Sequence, residues 1–175
     1  VRVGKSKDMG CEAGSDSDDD EIVEDKKPCE LEVDSHDSSI LYIDSASDLY
    51  QFSIDVNAGT SYSGKTIRVR NNLDMSTAQG TCVDTFEPIG TESHKFAGTF
   101  DGYQKTIKNL TINKSGSDYV GLFGYLSGKI KGLIVENITV TGRNYVGALV
   151  GNSRYSGAQI KDVIVKDSKV TGNTT

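Results

Sequence analysis

Residues 96–112 read FAGTFDGYQKTIKNLTI. Phe96, Gly98 and Phe100 alternate, as residues on one face of a strand do. Asp101-Gly102 then marks a tight turn, and the β-branched run Thr106–Ile112 reads as a returning strand. On this reading Asp101 bonds its own turn backbone. The catalytic alternative needs a second acid or base in reach. Glu87, Glu92 and His94 are near in sequence, but nothing in the sequence sets their spacing from Asp101 in space.

The same apolar triplet returns further along. Ile107, Leu110 and Ile112 recur as Ile130, Leu133 and Val135, then as Ile160, Val163 and Val165. Tyr119-Val120-Gly121 recurs as Tyr145-Val146-Gly147, and Val140-Thr141-Gly142 as Val170-Thr171-Gly172. Apolar positions keep their spacing while turns absorb insertions, the mark of stacked repeats. Three buried aliphatic side chains contribute about 1.5–3 kcal/mol each. Ordering roughly two dozen residues costs about 1–2 kcal/mol apiece. One repeat therefore cannot fold alone, and stacking must close the deficit. Strands are expected at 133–135, 138–140 and 145–150, with turns near Asn137, Gly142 and Gly151. The expected fold is all-β, a parallel β-helix of roughly three-sided section with coils from about residue 65. Ile107, Ile130 and Ile160 should form one inward column, and Leu110, Leu133 and Val163 the next.

SASDLYQFSIDVNAG, residues 45–59, carries the one clear helical pattern. Ser45 with Asp48 resembles a capping box, and Leu49, Phe52 and Val56 make an apolar stripe. Gly59 supplies the stop. The helix, about 45–57, is expected to cap the N-terminal end of the solenoid. Residues 1–37 differ: GSDSDDDEIVEDKKP is acidic and Ser-rich, and reads as a disordered linker before a domain spanning 38–175. The last repeat breaks off near Thr175, so further coils are expected and the C-terminal end reads as truncated.

FAGTFDGYQKTIKNLTI, YVGLFGYLSGKIKGLIVENITVTG and YVGALVGNSRYSGAQIKDVIVKDSKVTG together resemble the GLUG-motif repeat proteins. Gly121-Leu122-Phe123-Gly124 is the motif itself; Gly147-Ala148-Leu149-Val150-Gly151 departs from it by an extra residue and lacks the aromatic. The resemblance covers roughly residues 38–175. It implies a right-handed β-helix in a bacterial protein that is secreted or surface-attached. It also implies adhesin-like proteins or metallopeptidases that cleave immunoglobulin A as the context, the latter carrying their zinc motif elsewhere. No HExxH occurs in this chain.

Composition narrows the function classes. The net charge of -6 argues against a nucleic-acid or anionic-membrane partner. No apolar run approaches the roughly 20 residues that span a bilayer. Gly59–Thr66, GTSYSGKT, matches the phosphate-loop pattern letter for letter. That loop works after a strand and before a helix, whereas here a helical stripe precedes it and TIRVR follows. A helix-to-strand connection is expected and nucleotide is not. An EF-hand loop starting at Asp16 would need Gly and Glu where Glu21 and Lys27 stand, so calcium is not expected. Cys11, Cys29 and Cys82 form no zinc pattern, while a Cys11–Cys29 bridge is open. His36 and His94 read as surface residues, and the N-x-[ST] sequences at Asn109, Asn113, Asn137 and Asn173 follow from composition.

These readings converge on a non-enzymatic, extracellular repeat module of a bacterial cell-surface protein, binding or spacing in adhesion. No catalytic, metal or cofactor residue is assigned. The partner expected is a host or matrix glycan or protein. Outward-facing Tyr119 and Tyr145 would form an aromatic stripe suited to it, and inward-facing ones would be core; sequence parity leaves the two open, with a structural stack the expectation. The alternative is a β-helical carbohydrate-active enzyme, or an accessory segment of a larger surface hydrolase or peptidase. Two carboxylates facing each other across a groove would favour the enzyme.

Overall fold

A computed structural model describes residues 30–78 and 85–172. The one α-helix among the described residues, α1 (Ala46–Asn57), starts where the capping box places it. The Asp48 amide donates to Ser45 Oγ at 3.2 Å, and the Ser45 amide donates back to Asp48 Oδ2 at 3.0 Å. Leu49, Phe52 and Val56 are fully buried, so the stripe faces the core.

Strands form three sheets. The largest contains β1 (Glu32–Val33), β2 (Ile40–Ile43), β3 (Thr66–Val69), β4 (Leu73–Asp74), β5 (Thr99–Lys108), β8 (Lys129–Glu136), β11 (Gln159–Lys161) and β12 (Ile164–Lys166). Its order is β1-β2-β3-β5-β8-β11, with β4 also on β5 and β12 also on β8. A second sheet pairs β7 (Phe123–Tyr125) with β10 (Val150–Asn152). A third runs β13 (Lys169–Gly172), β9 (Thr139–Gly142), β6 (Thr111–Asn113).

The fold class expected from sequence is corrected by this topology. The largest sheet is mixed, since β1 lies antiparallel on β2 while its other pairings are parallel. With one helix packed on it, the architecture is a mixed-sheet fold, not an all-β right-handed parallel β-helix with a capping helix. The inward columns are corrected too. Ile107 lies opposite Val135, and Phe100 opposite Ile130, so Ile107 and Ile130 sit in different columns. The expected strand at 145–150 is reduced to a single bridge, Val120 to Val146, before β10. The later repeat step is read correctly: Ile130 lies opposite Ile160, and Val140 opposite Val170.

Residues before the expected domain start make contacts with it. Leu31 is buried, β1 is hydrogen-bonded to β2, and Arg70 binds Glu32, with Nη2 to Oε2 at 2.7 Å. Within the stretch expected as linker, Leu31 is therefore buried and Glu32–Val33 are strand-paired, while Glu30 and 35–37 stay exposed. Residues 1–29 of that linker, with Asp16 and its acidic run, Cys11 and Cys29, lie outside the described residues, as do Cys82 and Asn173.

All five phenylalanines are fully buried. Phe52 of α1 meets Phe96 edge-on at 5.3 Å, and Phe123 meets Phe100 edge-on at 5.3 Å. This cluster joins α1 to the sheets, and Phe123 of the Gly-Leu-Phe-Gly motif is one of its members.

Candidate functional site

Asp101 serves as a structural joint. Its Oδ1 accepts from the Tyr103 amide at 3.1 Å, the turn bond expected of it. Its Oδ2 lies 3.3 Å from Arg68 Nη2 and 3.2 Å from Lys131 Nζ. Those two cations flank it in sheet register: Arg68 on β3, Asp101 on β5, Lys131 on β8. The turn itself differs from expectation. β5 runs on through it with an irregularity between Asp101 and Lys105, and Tyr103 and Gln104 take left-handed φ values of 48° and 59°. Gly102 is required there for space: a Cβ would come within 2.6 Å of Leu133 Cα.

The other residues considered for chemistry are dispersed. Glu87 pairs with Lys114, Glu92 is exposed, and His94 Nδ1 contacts the Asn57 carbonyl at 2.8 Å. His36 Nδ1 meets Ser35 Oγ at 2.9 Å on the surface. Asn109 and Asn137 form a ladder on Asp74: Asn137 Nδ2 donates to Asn109 Oδ1 at 2.7 Å, and Asn109 Nδ2 to Asp74 Oδ1 at 2.8 Å. Gly59–Thr66 joins the C-terminal end of α1 to β3, the reverse of the strand-to-helix order that presents amides to a phosphate. Among the described residues, no group of three His, Cys, Asp or Glu side chains is placed to hold a metal.

The repeated Tyr-Val-Gly segments build the most distinctive surface. Tyr119 and Tyr145 stack with ring centroids 4.6 Å apart and planes 5° from parallel. Tyr125 meets Tyr119 at 5.0 Å, tilted by 51°. Tyr145 is 63 % exposed, while Tyr119 and Tyr125 are half-buried. Both repeat tyrosines hold left-handed φ, 59° for Tyr119 and 55° for Tyr145. Such a backbone costs a bulky residue on the order of 1 kcal/mol or more. Hydrogen bonds between the segments sustain it: the Tyr119 amide donates to the Asn144 carbonyl at 2.9 Å, and the Val120 amide to the Tyr145 carbonyl at 3.2 Å. Gly151 admits the Tyr119 backbone, since a Cβ there would meet a Tyr119 carbon at 2.4 Å.

Asp118 organises the polar groups beside the rings. It receives Arg143 Nε at 2.8 Å and Nη2 at 2.9 Å, and the Asn144 side-chain amide at 3.0 Å. The Arg143 fork, above all, holds its carboxyl down at about 2. Arg143 Nη1 and Asn144 Oδ1 have no protein partner among the described residues. An open cleft of about 530 Å³ adjoins them, lined by Arg143, Asn144, Tyr145, Val146, Val170 and Gly172. A smaller hollow of about 190 Å³ lies by Tyr119 and Tyr125, with Lys114 and Asp118 on its wall. One aromatic plate beside unspent donors and acceptors can hold a ring-shaped polar ligand. Sequence reading singled out the two tyrosines; it missed Asp118 and Arg143, which come together only through the turn pairing.

Among the described residues, no helix is long and apolar enough to cross a membrane. No family model matches the chain, and no solved structure matches it. Halomucin of Haloquadratum walsbyi is 40 % identical over 93 residues, which cover 50 % of this chain and 1 % of halomucin. A protein described as a Gly-rich membrane protein, from Evansella cellulosilytica, is 37 % identical over 73 residues, 39 % of this chain and 8 % of that protein. The chain thus spans under a tenth of the length of either relative.

Proposed function

We propose that this chain is a non-enzymatic, extracellular module of a cell-surface protein that binds carbohydrate through the Tyr119–Tyr145 row. The exposure of Tyr145, held in a fixed stack beside Arg143 and Asn144, carries this reading. A sugar ring lays its C–H face on an aromatic plate while its hydroxyls take hydrogen bonds from neighbouring polar groups. Asp101 faces two cations and not a second acid, which favours binding over hydrolysis. The names of the two relatives support a place at the cell surface.

A glycan array followed by titration of tyrosine fluorescence tests it. Tyr145→Gly relieves the left-handed backbone while removing the ring, so its unfolding midpoint should stay near that of the wild type. Its sugar affinity should fall at least tenfold, about 1.4 kcal/mol, while Tyr145→Phe should retain most of it. Equal binding by Tyr145→Gly, or steady turnover of the bound glycan, would remove this reading.

A further inference from the structure

Three Asn-x-Ser/Thr acceptor sequences fall among the described residues: Asn109-Leu110-Thr111, Asn113-Lys114-Ser115 and Asn137-Ile138-Thr139. The fold treats them differently. Asn109 and Asn137 form the ladder on Asp74, and each spends its side-chain nitrogen there. Both sit between consecutive strands with left-handed φ, 60° and 50°. The middle residue of each triplet is core: Leu110 is 2 % exposed and Ile138 fully buried. Neither triplet can be lifted from the surface without pulling a core side chain into water.

Asn113 is the opposite case. It ends β6 beside fully buried Ile112, so its own side chain stands on the outward face. It is exposed, and its side-chain amide makes no hydrogen bond among the described residues. A turn follows, closed by the Ser117 amide on the Lys114 carbonyl at 2.8 Å. Lys114 reaches Glu87 at the surface, and Ser115, Gly116 and Ser117 are exposed. Asn113, Lys114 and Ser115 can be presented together with no core side chain displaced.

The face around Asn113 also lacks the ion pairs that cover the large sheet, where Lys108 meets Asp74 at 3.5 Å and Lys166 meets Glu136 at 3.1 Å. In register on the third sheet stand Thr111, Thr139 and Lys169, then Asn113, Thr141 and Thr171, with one charge among the six. A bulky polar sugar suits such a face.

We infer that Asn113 is a site of N-linked glycosylation and that Asn109 and Asn137 are not. The inference rests on the extracellular placement proposed above. The donor is a lipid diphosphate-linked glycan. Asn113 Nδ2 bonds to its anomeric carbon, the bond from that carbon to the diphosphate oxygen breaks, and the lipid diphosphate leaves with the electron pair. The amide gives up one proton to a base of the transferase. The Ser115 hydroxyl is the second group that marks the acceptor.

Peptide mass spectrometry of the full chain, isolated from the cells that make it naturally, tests this. Asn113 should carry sugar, and Asn109 and Asn137 should be bare. Asn109 and Asn113 lie between the same two lysines, Lys108 and Lys114, so fragmentation that keeps the sugar attached must place it. Asn113→Gln and Ser115→Ala should each remove the sugar, while Asn109→Gln should leave it. Both of the first two substitutions touch exposed side chains, so the unfolding midpoint of the bare chain should stay in place. Labelling of intact cells with a membrane-impermeant reagent is read on the same sample. An exported chain bare at Asn113 overturns this inference alone, as does equal sugar on Asn109 or Asn137. A chain kept inside the cell overturns the extracellular placement and this inference with it.

Discussion

Asp118 and Asp74 are surface carboxyls whose partners give them weight. Arg143 holds Asp118 at about 2, and the hydroxyl of Ser76 with the amide of Asn109 holds Asp74 at about 2, both below the ordinary 3.8. A carboxyl lowered in the folded chain contributes stability above its unfolded value and loses it as pH falls through the folded one. The urea midpoint should therefore be flat near neutrality and drop between about pH 4 and pH 2. Asp118→Asn should lower stability at pH 7 and remove its share of that acid slope. An unchanged slope in the variant would show that the Arg143 fork is not coupled to folding. Individual residues were unevenly legible in the sequence. Asp101 as a turn acceptor follows from Asp-Gly chemistry, which is local. Its two ion pairs do not, because Arg68 and Lys131 reach it through strand pairing.

At the scale of elements, local signals were sound and long-range ones slipped. The helix was readable because Ser45, Asp48, Leu49, Phe52 and Val56 act within three turns. The first repeat step was misaligned because Ile-x-x-Leu-x-Ile and its relatives match by letters at more than one register. The extra residues of the β5 irregularity at 101–105 then shift the true pairing, so that Ile107 meets Val135 and Phe100 takes the place opposite Ile130. This correction makes Phe100 the keystone. It lies between Ile67 and Ile130 in the sheet and meets both Phe52 and Phe123. Phe100→Ala should cost about 3–5 kcal/mol, the usual range for deleting a buried ring. Ile160→Ala, at a site already half open, should cost well under half as much. Urea titration of the two variants measures the contrast, and similar losses would mean that the inward rows are not ordered as described.

Across the whole molecule, burial is graded from one end of the large sheet to the other. α1 and the phenylalanine cluster seal one region, and β8 is paired on both sides, by β5 and by β11 with β12. Inward residues of β8 and β9, namely Ile130, Leu133, Val135 and Val140, are fully buried. Ile160, Val165 and Val170, one strand further along, are 44–48 % exposed. Each of those three forfeits roughly half of the 1.5–3 kcal/mol that full burial of an aliphatic side chain provides. None of β11, β12 and β13 has a second strand beside it among the described residues. Such strands open locally at lower free energy than the core. Amide exchange should therefore be fastest at β11–β13, intermediate at β1 and β2, and slowest at β5 and β8. β1 belongs in the middle class because Leu31 is buried and Arg70 ties Glu32 to Asp44 across the packed start of the domain. Mass-resolved exchange over seconds to hours separates these classes. Equal protection of β8 and β12 would mean that the edge is covered in solution, and the graded order of stability would have to be abandoned.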